Sequence, residues 1–132
     1  MKYVSTRGGV RDLPFCDAVM MGLASDGGLL VPEAIPDISA QLKKFTQFSY
    51  QELAFEVMSN FIDDITRADL RKLIDISYSS FDEHLITPLV EVSDFHVMEL
   101  FHGPTLAFKD VALQFLGNVF EHVLQARGGT LN

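Results

Sequence analysis

The chain has 132 residues, 48% hydrophobic and 21% charged, with a formal net charge of −8 at pH 7. That length supports one modest domain and argues against two full ones, and the composition excludes the disordered and fibrous classes. The acidic balance, with no cluster of Lys and Arg, excludes nucleic acid as a partner, and no apolar run reaches the roughly 20 residues that cross a bilayer. The opening Met1 to Arg7 lacks the apolar stretch of a secretory signal, and the lone Cys16 cannot form an internal disulfide. A cytoplasmic protein is expected, with Cys16 packed as a small hydrophobe beside Phe15 and Val19.

In chain order, Lys2 to Val4 read as a short strand and Ser5-Thr6-Arg7-Gly8-Gly9 as a loop. Pro14 suits a first helical position; Phe15, Ala18, Val19 and Gly22 follow at helical spacing, and Gly22 marks the stop. Ser25-Asp26-Gly27-Gly28 is a turn signal, followed by a brief strand Leu29-Leu30-Val31 that Pro32 ends, and Pro36 continues as loop. Ser49 and Glu52 stand three apart as a capping box for a helix to about Phe61; Thr66 with Asp69 starts another through Leu70, Leu73 and Ile74 toward Ser77. Pro88 disfavours helix at Thr87, so Leu89–Val92 and Phe95–Leu100 read as two strands around a Ser93-Asp94 turn. Last, Phe108, Val111, Ala112, Phe115, Leu116, Val119, Val123 and Leu124 repeat at helical spacing before Gly128-Gly129, and Thr130-Leu131-Asn132 read as the start of a strand closing a βαβ unit.

One residue of that last helix breaks its pattern. Asp110, Gln114, Gly117, Asn118, Glu121 and Gln125 form its polar stripe, whereas Lys109 heads an apolar line through Ala112, Leu113, Leu116 and Phe120. A cation there also faces the positive end of the helix dipole. Desolvation and dipole together favour the neutral amine, the form that an amine nucleophile or Schiff-base lysine requires. The competing reading is a lysine that snorkels from the helix end to water. The preceding Phe101-His102-Gly103-Pro104-Thr105 has the composition of a strand-to-helix loop able to approach a ligand.

Other features carry less. Ser5 to Gly9 with Arg7 reads either as an anion-binding nest or as a plain structural loop. His84, His96, His102 and His122 match no zinc spacing, so no metal is expected; Asp63-Asp64 reads as a solvated loop.

The string His102-Gly103-Pro104-Thr105-Leu106-Ala107-Phe108-Lys109-Asp110 resembles the cofactor-lysine motif of threonine synthases. Tyr3 to Gly9 and Gly22 to Pro32 are similar to the opening of the same family, while the middle, about Ile35 to Glu99, resembles it in helix-then-strand layout. The resemblance implies a tryptophan-synthase-β-like α/β fold: a mainly helical amino-terminal lobe over residues 1–80, then over 81–132 the start of a pyridoxal-phosphate lobe, giving an α+β piece of a longer protein. It implies pyridoxal phosphate as cofactor, O-phospho-L-homoserine as substrate, Lys109 as the catalytic and cofactor-binding lysine, and Phe108 as a second cofactor-binding residue, with Thr105 and His102 as candidate pocket walls. It further implies that the 132-residue piece is inactive alone, since the loop for the cofactor phosphate and the substrate-phosphate residues are expected after Asn132. The rivals are a serine or threonine dehydratase of the same fold and a non-catalytic interaction module; oligomeric state is left open.

Overall fold

A computed structural model of the chain describes residues 1–129; the strand expected over Thr130 to Asn132 lies outside the described residues. The chain divides into two compact units, one made of Met1–Phe48 with Leu53–Leu70, the other of Ser49–Glu52 with the chain from Arg71 onward.

In the first unit, β1 (Tyr3–Ser5) pairs antiparallel with β2 (Leu30–Pro32), Tyr3 opposite Pro32 and Ser5 opposite Leu30. The strand sits one residue later than the sequence pattern suggested, because Tyr3 is also bridged to Leu13 and the Ser5 amide bonds Val10. Helix α1 (Phe15–Met21) starts one residue later than read, with Pro14 as its extended N-cap (φ −68°, ψ 162°), and its Phe15 ring lies 5.9 Å from that of Tyr3. The Tyr3 hydroxyl donates to the Phe61 carbonyl at 3.1 Å, tying β1 to the turn after α3 (Tyr50–Met58), a helix that ends three residues before the expected Phe61. Asp63 and Asp64, expected as a solvated loop, have partners: Asp63 pairs with the Met1 ammonium group, and Asp64 accepts the Cys16 amide at 2.8 Å. Between Pro36 and Ser49, where no helix was expected, a 3-10 turn (Ser39–Gln41) and a short helix α2 (Leu42–Phe45) form and bury Phe45, with Asp37 Oδ1 accepting the Ser39 amide at 2.9 Å just ahead of them.

The two predicted helix starts form as read. The Ser49 amide donates to Glu52 Oε2 at 2.8 Å and the Glu52 amide to Ser49 Oγ at 3.3 Å, the reciprocal bonds of a capping box. At α4 (Arg67–Tyr78) the Asp69 amide donates to Thr66 Oγ1 at 3.1 Å. Replacing Ser49 with Ala leaves the Glu52 amide without its side-chain acceptor. It is expected to cost about 1 kcal/mol in urea unfolding; a loss below a few tenths would show that solvent replaces the cap.

The second unit is organised around α5 (Asp110–Ala126), whose Phe115, Val119 and Val123 are buried at intervals of four. Two bonds fix it to the end of α4: the Tyr78 hydroxyl donates to the Val111 carbonyl at 3.0 Å, and Asn118 Nδ2 donates to Ser77 Oγ at 2.9 Å. Tyr50 stacks edge-on against Tyr78 at 4.9 Å, and burial raises the phenol of each above its ordinary range. Strands β3 (Leu89–Val92) and β4 (Phe95–Met98) form the expected hairpin with Val92 opposite Phe95. Beyond Met98 the chain leaves the strand, two residues before the expected end. Among the described residues no helix is long and apolar enough to cross a membrane.

Candidate functional site

The loop between β4 and α5 is anchored at its start and folded back on itself at its end. His102 Nε2 lies 2.7 Å from Glu99 Oε2, its ring packs on Phe101 with centroids 4.6 Å apart, and its carbonyl accepts the Asp82 amide at 3.0 Å. The Leu106 amide then bonds the Gly103 carbonyl at 3.0 Å, with Leu106 itself at φ +60°, a region costly for a side chain that is not glycine. The chain thereby reverses just ahead of α5.

Lys109 occupies the position that opens α5, with φ −66° and ψ −21°, and its carbonyl accepts the amides of Ala112 at 3.0 Å and Leu113 at 2.8 Å. Its side chain is exposed, and among the described residues no hydrogen bond or ion pair holds the amine. Phe108 is 64% exposed. The apolar line that Lys109 heads is there, but uncovered: Ala112 is exposed, as are Leu113 at 50% and Leu116 at 37%. This corrects the buried stripe expected to include Phe108, Ala112 and Leu116. Lys109 stands at the start of α5 as read, but among residues 1–129 nothing buries it.

Asp110 reverses the expectation in the other direction. Placed by periodicity on the solvent stripe, it is 2% exposed, its Oδ2 accepting the Thr105 amide and its Oδ1 the Thr105 hydroxyl, both at 2.8 Å. Burial alone pushes this carboxyl up, but the Thr105 bonds, with help from Gln114 and the Ala107 backbone, outweigh it and hold the group below the usual carboxylate range. Gly103 is packed so closely that a Cβ on it would stand 2.4 Å from Asp110 Cβ. A Gly-Pro-Thr turn with Asp five residues after the Thr was the available signal; what hides it is that a carboxylate in a first helical turn reads as an ordinary dipole partner.

The suspected anion nest in the first unit is filled by its own chain. The Asp26 carboxylate accepts from Ser5 Oγ at 2.7 and 2.8 Å, from the Gly9 amide at 2.8 Å and from the Gly28 amide at 2.9 Å, while Arg7 Nη1 donates to the Asp26 carbonyl at 3.0 Å. A Cβ on Gly28 would fall 2.2 Å from Ser5 Oγ, so the two loops meet in a space that only glycine leaves open. The Ser5 bond first, then the Gly28 and Gly9 amides and Arg7, hold the Asp26 carboxyl below its ordinary value. A carboxyl depressed in the folded state contributes stability above its unfolded value of about 3.9, and loses it as pH falls through the lower folded value. The stability difference between wild type and Asp26→Asn is therefore expected to be full at neutral pH and to shrink once pH drops below about 4. Urea unfolding across that range checks it, and a difference independent of pH would contradict it.

With this geometry in place, comparisons with known proteins decide the family. A model described as threonine synthase N terminus matches residues 2–78. The chain belongs to the threonine synthase family. It is 49% identical to threonine synthase of Schizosaccharomyces pombe, over 98% of this chain and 26% of that protein. Among solved structures it is similar to the PLP-bound threonine synthase of Brucella melitensis, with TM-score 0.92 and 44% identity over 97% of this chain and 28% of that one. It is also similar to yeast threonine synthase, with TM-score 0.88 and 44% identity over 99% of this chain and 28% of that one. The likeness runs through the middle of the chain as well as its two ends, and the mixed helix-and-strand architecture is that of the threonine synthase amino-terminal region. The chain spans about a quarter of the length of the curated relatives it matches.

Proposed function

We propose that this chain forms the amino-terminal quarter of a cytoplasmic threonine synthase, which converts O-phospho-L-homoserine and water to L-threonine and phosphate with pyridoxal phosphate held through Lys109. The observation that carries the reading is the amine of Lys109: exposed and, among the described residues, without a partner, on a backbone fixed by the first turn of α5, in a chain of this family. Those residues fit the group, because a cofactor aldehyde needs an accessible primary amine not already committed to a carboxylate. The similar structures add support, one of them being a PLP-bound threonine synthase.

Pyridoxal phosphate, when bound, supplies the electron sink for a carbanion beside the substrate's amino group. This chain's part is to hold and to move protons. Lys109 would hold the cofactor through its amine, and when not so engaged it would be the base able to collect and return protons at the substrate carbons. Phosphate departs from the γ-carbon and water adds at the β-carbon, which balances the overall conversion. Phe108 offers the cofactor an apolar face next to the lysine, and the uncovered Leu113 and Leu116 offer a surface on which further polypeptide would pack and exclude water.

The test is an assay of the full-length protein with added pyridoxal phosphate and O-phospho-L-homoserine. Threonine and phosphate are expected in equal amounts, and none from the 132-residue piece alone. Release of ammonia and a keto acid from serine or threonine, with no phosphate, would replace this reading with a dehydratase.

A further inference from the structure

The inference rests on the reading of Lys109 given above and concerns the residue after it. We propose that Asp110 is a positioning residue for Lys109: by drawing Thr105 and the Gly103 turn against the head of α5, it fixes the point from which the lysine reaches, so that the amine returns to one place each time it is released.

Three features of Asp110 separate it from an ordinary acidic residue in a first helical turn. Such residues are usually exposed and cap the free amides of their own helix, whereas α5 has no side-chain cap and Asp110 is 2% exposed. Its two carboxylate oxygens point backward, one to the Thr105 amide and one to the Thr105 hydroxyl, each at 2.8 Å. A buried carboxylate is tolerated only with its lone pairs satisfied, so the site demands that Thr105 be there. Gly103 closes the third side, with space between it and Asp110 for no added carbon. The Asp110 amide meanwhile bonds the Ala107 carbonyl at 3.0 Å.

The consequence falls on Lys109, which lies between two fixed points. Ahead of it the loop is closed through Asp110; behind it the Lys109 carbonyl accepts the Ala112 and Leu113 amides. Among the described residues nothing holds the side chain, while the backbone is held at both ends. A lysine that must let go of a carbonyl and recapture it gains from a stiff base and a free arm, since the entropy of finding the reacting position is then confined to the side chain.

The experiment follows capture of pyridoxal phosphate by cofactor-free full-length protein, read as the growth of the visible absorption of the lysine-linked cofactor, with unfolding midpoints measured alongside. In Asp110→Asn and in Thr105→Val, capture by the folded protein is expected to slow about tenfold to a hundredfold. Thr105→Ser, which keeps the hydroxyl, is expected to capture at close to the wild-type rate. The double variant should be no slower than the slower single one, because both act through one link. Wild-type capture rates in Asp110→Asn and Thr105→Val, even with lowered unfolding midpoints, would overturn the proposal and leave a purely structural aspartate. If Asp110→Asn does not fold, the Thr105 pair decides: slowing by Val and recovery by Ser supports the proposal, and equal rates overturn it. No capture by the wild type would overturn the reading of Lys109 itself, and the positioning role with it.

Discussion

Lys109→Ala is expected to lower threonine formation by the full-length enzyme about a thousandfold or more, toward the upper end of what loss of a positioned proton-transfer group costs, because the same residue also supplies the covalent hold on the cofactor. The fold should not notice. The lysine side chain is exposed and bonds nothing among the described residues, and Ala is at least as good a helix former, so unfolding is expected to change by less than about 0.5 kcal/mol. That combination, loss of turnover on an unaltered scaffold, separates a cofactor lysine from one that snorkels. Assay and urea unfolding of one preparation read both quantities. Activity within tenfold of wild type would place the chemistry elsewhere.

Gly103→Ala is expected to do the opposite, acting on the scaffold first. The added Cβ would stand 2.4 Å from Asp110 Cβ and 2.6 Å from Oδ2. Neither atom can swing away cheaply: the Cβ is carried by the first residue of α5, and the oxygen is committed to the Thr105 amide. Relief requires moving the loop away from the helix, which costs about 1–3 kcal/mol for overpacking and a further 1–3 kcal/mol if the buried carboxylate loses its donors. A drop of about 2–4 kcal/mol in urea unfolding is therefore expected. A change under about 0.5 kcal/mol would show that the loop has slack not visible in its hydrogen bonds.

What the sequence made legible was local. The capping box of Ser49 and Glu52, the Thr66 and Asp69 start, the Ser93-Asp94 turn and the length of α5 all depend on residues within four positions of one another, and all formed. What it hid was distant or returned on itself. The Ser5 to Gly9 loop could not be told from a nest without knowing that Asp26, about twenty residues on, fills it. Periodicity sorted α5 into apolar and polar stripes but could not say which apolar residues meet something: Phe115, Val119 and Val123 are covered, whereas Leu113 and Leu116 are not. Asp110 was misread for the same reason, since its burial is created by the loop folding back through Thr105 and not by its place on the helix wheel. Lys109 stands out in the sequence by its place on an apolar line and by its resemblance to the family's cofactor lysine. Its place at the start of α5 is as read, and its side chain is exposed, not buried as the apolar line suggested.

The most direct measurement is the position of the cofactor on the chain. Full-length protein loaded with pyridoxal phosphate is reduced with borohydride, digested and sequenced by mass spectrometry. The added mass is expected on the peptide that carries Phe108-Lys109-Asp110, and to be absent from that peptide in Lys109→Ala. Attachment at any other lysine, with Lys109 unmodified, would contradict the assignment on which the proposed chemistry stands.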